Sequence, residues 1–117
     1  MSYNRGDIVI VPFPLIISGK QQIQKARPAL VISDMTVDRR YNDLILASIT
    51  SQLPEDLKKT EMILEATATN GLAKKSCLRL EFLMTIPSDL ISRKIGQLTS
   101  QEIEEVNLKI TKSLGLR

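Results

Sequence analysis

Short apolar runs, separated by polar segments and by Gly or Pro, fill the first three quarters of the chain. The run at 8–11 is β-branched and is bounded by Gly6 and by Pro12 and Pro14, which predicts a first strand that ends at these prolines. The polar residues at 15–25 predict a loop. Further apolar runs predict strands at 29–32, 43–49, 61–64 and 76–86, with a turn at Asn70-Gly71.

The last element has the pattern of an amphipathic helix. Thr99 and Glu102 form a Thr-x-x-Glu capping box, and Gly115 is suited to end the helix. Apolar residues recur at helical spacing at Ile103, Val106, Ile110 and Leu114. Several short strands followed by one long helix predict a mainly β, α+β fold. We expect one domain over 1–117, a partly open barrel or curled sheet with the helix packed against it.

The composition narrows the possible chemistry. The chain has 117 residues, no histidine and one cysteine, which excludes histidine-based zinc sites, Ser-His-Asp or Cys-His catalysis, and an intrachain disulfide. Phosphate-binding and dinucleotide-binding glycine motifs are also missing from the sequence. No apolar run approaches the roughly 20 residues of a membrane span, and no signal peptide is recognisable, so we expect a cytoplasmic protein. The net charge of +3 permits an anionic partner without establishing one.

Four residues could carry chemistry. Arg27 precedes Pro28 at the mouth of a predicted strand, and a guanidinium there can hold a phosphate through its planar fork. Thr50 lies at the exit of the third strand, and Arg79 and Glu81 share a face if the fifth strand alternates without interruption. Each also has an ordinary structural explanation, such as a surface ion pair or a strand-ending turn. The residues alone therefore leave their roles open.

The order of several motifs resembles the MazF/PemK family of toxin ribonucleases, and the resemblance covers nearly the whole chain. It begins with Arg5-Gly6-Asp7-Ile8-Val9 and Pro12-Phe13-Pro14 and continues through Lys25-Ala26-Arg27-Pro28-Ala29-Leu30-Val31-Ile32-Ser33. The later motifs are Ile49-Thr50-Ser51, Gly71-Leu72, Lys75-Ser76, Thr85-Ile86-Pro87 and Ile95-Gly96-Gln97-Leu98.

The resemblance implies a homodimeric, partly open β-barrel of the CcdB/PemK type with a C-terminal helix. It implies an endoribonuclease that cuts single-stranded RNA at short motifs without a metal ion or other cofactor. The cognate antitoxin is the implied protein partner, with which the toxin binds DNA. The reaction we expect is attack of the 2′-hydroxyl on the adjacent phosphorus, which leaves DNA uncut.

The resemblance also assigns site residues. Arg27 and Thr50 match the family's functional arginine and threonine, and Arg79 and Glu81 match a second arginine and acid pair, with Glu in place of Asp. We expect Arg27 and Thr50 to stabilise the phosphoryl group, with Glu81 as the candidate base and Arg79 beside it. The expected RNA contacts are Lys20, Lys25, Ser51 and Gln52, with the 15–25 loop beside the RNA groove.

Two other functions remain possible from the sequence. A sister family of the same barrel poisons DNA gyrase through protein contact, and fold alone does not separate the two activities. A catalytically inactive barrel that binds RNA or the antitoxin is the third possibility, since Glu replaces Asp at position 81.

Overall fold

The computed structural model describes residues 2–17 and 21–116, which form a six-stranded antiparallel sheet and one α-helix. Along the sheet the strand order is β4-β5-β3-β2-β1-β6. A 3-10 turn at Ser88–Leu90 connects β5 to β6. The elements are β1 Asp7–Ile17, β2 Gln21–Val31, β3 Asp43–Thr50, β4 Glu61–Leu64, β5 Ser76–Pro87, β6 Arg93–Gln97 and α1 Ser100–Ser113. The mainly β fold with a C-terminal helix, predicted from the sequence, is confirmed.

The first two strands form a hairpin longer than the sequence predicts. β1 continues through both prolines, and its pairing with β2 runs from Ile8 opposite Leu30 to Ile17 opposite Gln21. The predictions that β1 ends at Pro12 and that 15–25 is a loop are therefore wrong.

Backbone direction explains why the prolines are tolerated. The Ile10 carbonyl accepts a hydrogen bond from the Ser92 N–H at 2.8 Å, on the side of β1 away from β2. Because alternate residues direct their backbone groups to the same side, Pro12 and Pro14 face this edge too. The β6 pairing stops at Ile10, so their missing N–H groups break no ladder hydrogen bond.

Both faces of the sheet are covered. On one face the helix packs through Ile103, Val106 and Ile110 against a buried apolar cluster. Leu114, predicted to continue this stripe, is instead 53% exposed, because the helix ends at Ser113 and Leu114 is its C-cap. From the sheet and its loops, this cluster contains Ile8, Leu30, Ala47, Ile49, Met62, Leu64, Leu72, Leu78, Leu80 and Leu98. A second buried apolar cluster lies on the opposite face and contains Tyr3, Val9, Val11, Ala29, Val31, Leu44, Leu46, Ile86 and Ile91.

The predicted helix ends are confirmed. The Thr99 N–H donates to Glu102 Oε1 at 2.9 Å, and the Glu102 N–H donates to Thr99 Oγ1 at 3.2 Å. Gly115 follows with a φ of +69°, the left-handed conformation that commonly ends a helix. The capping box and the glycine therefore set the two ends of α1.

The predicted turn at Asn70-Gly71 holds the 65–75 loop against β6. Buried Asn70 accepts from the N–H groups of Thr67 and Leu72 and donates to the Glu65 carbonyl at 2.7 Å. Gly71 has a φ of +71°, and a Cβ there would lie 2.1 Å from the Ile95 carbonyl oxygen. Only glycine satisfies both conditions, and the loop thereby packs closely against β6.

Strand β5 contains a bulge. Leu83 lies opposite Ala47, but the next residue of β3, Ser48, lies opposite Arg79. The residues at 80–82 therefore interrupt the alternation of β5. The expectation that Arg79 and Glu81 share a face assumed an uninterrupted strand, and the bulge begins between these two residues, so the shared face stays a prediction.

Candidate functional site

Two cavities meet the chain where β3 ends. Ile49 and Ser51 line the first, and Thr50 and Gln52 line the second. We call them the Arg27 cavity and the Thr50 cavity.

The Arg27 cavity has a volume of about 330 Å³ and is bordered by β2, the end of β3 and the 65–75 loop. Arg27 is half-buried, while Lys25 and Lys74 at the rim are exposed. Among the described residues that line this cavity, three are cations and none is acidic. Such a surface suits an anion, and the guanidinium can contact a phosphate through two N–H groups.

Arg27 also carries an unpaired polar atom. Its Nε is buried and has no hydrogen-bond partner among the described residues. A buried N–H without a partner costs roughly 1–3 kcal/mol. An anionic ligand that accepts from Nε would recover this energy.

The Thr50 cavity has a volume of about 300 Å³ and lies where β3, β4 and β5 come together. Thr50 Oγ1 accepts a hydrogen bond from the Gln52 N–H at 3.1 Å. A hydroxyl that accepts through a lone pair still has its own proton to donate. The Thr50 hydroxyl can therefore donate its proton to a ligand in the cavity. Leu53 and Pro54 form the apolar part of the lining, and Arg79 and Glu61 form the charged part.

The strand register places the candidate residues on one face of the sheet. The last pair between β2 and β3 is Ala29 opposite Ser48, and Arg27 and Thr50 each follow two residues beyond it. Arg79 lies opposite Ser48 on the other side of β3. Because side chains alternate along a strand, Arg27, Thr50 and Arg79 belong to the same face.

The structure distributes the residues predicted from the sequence between the two cavities. Arg27, Lys25 and Ser51 line the first, and Thr50, Gln52 and Arg79 line the second. Glu81 is exposed in the β5 bulge and lines neither cavity. Lys20 lies outside the described residues. In the described part of the predicted 15–25 loop, residues 15–17 belong to β1 and residues 21–25 belong to β2. Lys25 therefore projects from a strand and not from a loop.

Sequence reasoning missed three residues at these cavities. Lys74 lines the Arg27 cavity, and Glu61 and Cys77 line the Thr50 cavity. Burial raises the pKa of the Cys77 thiol, and the negative charge of Glu61 acts in the same direction. No motif marks these residues, because only the cross-strand register brings them to the site.

Within 2–17 and 21–116, no three His, Cys, Asp or Glu side chains are grouped so that they could hold a metal ion. No helix in these ranges is long and apolar enough to cross a membrane.

Comparison with known proteins gives consistent matches over nearly the whole chain. The family described as PemK-like, MazF-like toxin of type II toxin-antitoxin system matches residues 4–114. Endoribonuclease MazF of Staphylococcus saprophyticus is 27% identical over 112 residues, which cover 96% of this chain and 91% of that protein. Endoribonuclease EndoA of Bacillus subtilis is 27% identical over 116 residues, covering 99% and 97%.

The fold is shared with solved structures at lower identity. One is an endoribonuclease in complex with its cognate antitoxin from a mycobacterial species, with a TM-score of 0.74 and 17% identity, covering 99% of this chain and 98% of that one. At this identity, the likeness concerns the fold.

Proposed function

The chain belongs to the PemK-like, MazF-like toxin family of type II toxin-antitoxin systems, and from this premise we propose that it is an endoribonuclease that cuts single-stranded RNA at short sequence motifs. Two curated relatives that match nearly all of the chain are endoribonucleases. We further propose that it acts in the cytoplasm as a single domain over 1–117.

One observation carries the proposal for the site: the buried, unpaired Nε of Arg27 beside two exposed lysines. A phosphodiester supplies what this arrangement lacks, because its oxygens accept from the guanidinium and its charge balances the cations. Lys25 and Lys74 attract the RNA backbone without selecting bases. Ser51, on the same cavity, adds a hydroxyl donor.

The proposed reaction is a transesterification. The 2′-oxygen of one nucleotide bonds to the adjacent phosphorus, its proton is lost, and the bond from phosphorus to the 5′-oxygen of the next nucleotide breaks. The leaving 5′-oxygen takes up a proton. The products are a 2′,3′-cyclic phosphate and a free 5′-hydroxyl, and DNA is not cut because it has no 2′-hydroxyl.

Arg27 and Thr50 stabilise the charge that develops in this step. The guanidinium neutralises the phosphoryl oxygens, and the Thr50 hydroxyl, held by the Gln52 N–H, donates to the same group. Donors of this kind contribute more in the transition state than in the ground state, and each contributes roughly 10²–10³ in rate. Arg79 adds positive charge on the same face. Glu81, the candidate base implied by the resemblance, is exposed outside both cavities and ranks below Arg27 and Thr50.

The partner proteins follow from the same premise. We propose that the active form is a homodimer and that a cognate antitoxin inhibits it. An acidic, extended antitoxin segment could occupy the Arg27 cavity, since carboxylates can take the place of phosphates against Lys25, Arg27 and Lys74. Such inhibition is competitive with RNA and reverses when the antitoxin is removed.

The direct test incubates the purified chain with a long single-stranded RNA and a DNA of matching sequence in EDTA. Arg27→Ala is tested in parallel, with Arg93→Ala as the control, because Arg93 is an exposed arginine of β6 at the far edge of the sheet. Sequencing the fragment ends gives the cut sites and the end chemistry.

The expected result is discrete RNA cuts with cyclic phosphate and 5′-hydroxyl ends, lost in Arg27→Ala and kept in Arg93→Ala. Intact RNA would refute the ribonuclease and favour a gyrase-poisoning or purely binding barrel. Cuts that appear only when Mg²⁺ replaces EDTA would refute metal independence. Unaltered cutting by a folded Arg27→Ala variant would refute the role of Arg27.

A further inference from the structure

We propose that the Thr50 cavity is a guanine-selective base pocket in which Glu61 and Arg79 bind two edges of one base. This inference rests on the proposed function, because it names the base that the ribonuclease selects beside the phosphate it cuts. It assigns a role to Glu61, a buried carboxylate that the proposed reaction does not use.

Glu61 is held in place with acceptor capacity to spare. Its residue surface is only 8% exposed, and it lines the Thr50 cavity. Its Oε1 accepts a hydrogen bond from the Lys58 N–H at 2.9 Å, which fixes the orientation of the carboxylate. It accepts no other hydrogen bond from the described residues. A carboxylate offers about four lone-pair sites, so most of its capacity is left for a ligand.

Arg79 supplies the opposite chemistry from the neighbouring strand. It lies directly opposite Glu61 in the pairing of β4 with β5. Even so, the two form no ion pair within 4.0 Å, and no described residue accepts a hydrogen bond from the guanidinium of Arg79. The guanidinium lies 5.1 Å from the centroid of the Phe82 ring, a cation–π contact that restricts its position. The cavity therefore has an acceptor and a donor fork on adjacent strands.

Guanine is the base that matches both groups best. Its Watson–Crick edge has two neighbouring donors, N1–H and N2–H₂, which fit the two oxygens of a carboxylate. Its O6 and N7 are acceptors that fit the arginine fork. Adenine, cytosine and uracil each lack a second donor next to the first. Bases of single-stranded RNA are available for this kind of edge recognition because they are unstacked.

The remaining lining is compatible with a single base. The volume of about 300 Å³ is at the lower end of the range of about 300–1,000 Å³ for ligand pockets. Leu53 and Pro54 offer an apolar surface for the base faces. Thr50 joins this cavity to the proposed phosphate position, since Ile49 and Ser51 on either side of it belong to the Arg27 cavity.

Binding of an uncleavable probe tests the inference independently of catalysis. The probes are fluorescent single-stranded oligouridine decamers whose 2′-hydroxyls are replaced by fluorine and whose central base is G, A, C, U or inosine. Inosine keeps N1–H, O6 and N7 of guanine but lacks the N2 amino group. Affinities are measured by fluorescence anisotropy for the wild type, Glu61→Gln and the control Glu65→Gln.

The variants are matched in chemistry. Glutamine at 61 keeps an oxygen for the Lys58 N–H, so the fold is retained, but it replaces one of the two acceptors by a donor. Glu65 is exposed, follows the end of β4, and lines neither cavity. Circular dichroism and thermal unfolding confirm that both variants are folded.

We expect the wild type to bind the G probe about tenfold or more tightly than the A, C and U probes. One bidentate contact to a base is sufficient for a discrimination of this size. Inosine loses most of the preference, Glu61→Gln abolishes it, and Glu65→Gln keeps it. Equal binding of all five probes, or a guanine preference that survives in folded Glu61→Gln, would overturn the inference. A guanine preference in a chain that cuts no RNA would refute the proposed function alone, whereas cutting without the preference would refute the pocket alone.

Discussion

The unpaired Nε of Arg27 allows a functional arginine to be distinguished from a structural one. The variant that separates the two roles is Arg27→Met. Methionine keeps an unbranched apolar side chain of similar length but has none of the N–H donors of the guanidinium. In the native protein the Nε is buried without a partner, and such a group destabilises the fold by roughly 1–3 kcal/mol. Because methionine removes this cost and preserves most of the packing, we expect the free energy of unfolding to stay the same or rise by about 1 kcal/mol.

The effect on cleavage is expected to have the opposite sign. If the guanidinium stabilises the phosphoryl oxygens in the transition state, its loss lowers the rate by roughly 10²–10³, or about 2.7–4 kcal/mol. Arg27→Lys keeps the charge but not the planar fork, so its rate should fall between those of the wild type and Arg27→Met. A structural arginine would show the reverse pattern, with a loss of stability and a small effect on rate.

The assay combines two measurements on the same samples. Single-turnover cleavage of an RNA oligonucleotide that contains the mapped cut site gives the rate, and urea unfolding followed by circular dichroism gives the stability. Arg93→Ala is the control for a simple loss of positive charge, because Arg93 is exposed on β6. The reasoning is refuted if Arg27→Met cleaves within tenfold of the wild type, or if it unfolds more easily by over about 2 kcal/mol.

Three further predictions address the rest of the site and its support. Thr50→Val should slow single-turnover cleavage by roughly 10²–10³. Glu81 is exposed outside both cavities, so Glu81→Gln should lower the cleavage rate by far less than the ~10² expected for loss of a general base. A larger loss of rate for Glu81→Gln than for Thr50→Val would contradict this order. Gly71→Ala should lower the thermal midpoint of unfolding much more than Gly115→Ala. Both glycines have a positive φ, but only a Cβ at 71 would meet backbone, the Ile95 carbonyl oxygen at 2.1 Å. Equal shifts of the midpoint would show that the close contact with β6 does not affect stability. The raised pKa of the Cys77 thiol predicts a stabilisation that is complete below the unfolded-state pKa of about 9.0 and is lost as the pH rises through the folded-state pKa. In urea unfolding from pH 7 to 10, the wild type should therefore lose stability relative to Cys77→Ala. A stability difference that stays constant over this pH range would contradict the prediction.

Local sequence patterns predicted the parts of this fold that depend on near neighbours. The helix has a capping box between Thr99 and Glu102 and a glycine at 115, and these signals act within a few residues. The turn at Asn70-Gly71 is similar, since it needs a left-handed residue whatever lies around it. The fold class followed from counting such elements.

The errors arise where a distant strand determines the outcome. Pro12 indicates a strand end in isolation, but it is harmless here because its backbone faces an edge that β6 no longer pairs. Leu114 has the right spacing for the core, yet the helix stops one residue before it. The bulge in β5 cannot be inferred from β5 alone, because it exists only relative to the register of β3.

The same reasoning explains which site residues the sequence could identify. Arg27 directly precedes a proline, and Thr50 lies at the end of a predicted strand. Each could therefore be singled out from the local sequence alone. Glu61 has no such signal, since its position becomes meaningful only when β4 pairs with β5 and sets it opposite Arg79. The residues proposed to bind phosphate, the feature common to all RNA, are thus the ones that motifs indicate. The residues proposed to select a base depend on long-range pairing, so the resemblance gives no indication of base selectivity in this chain.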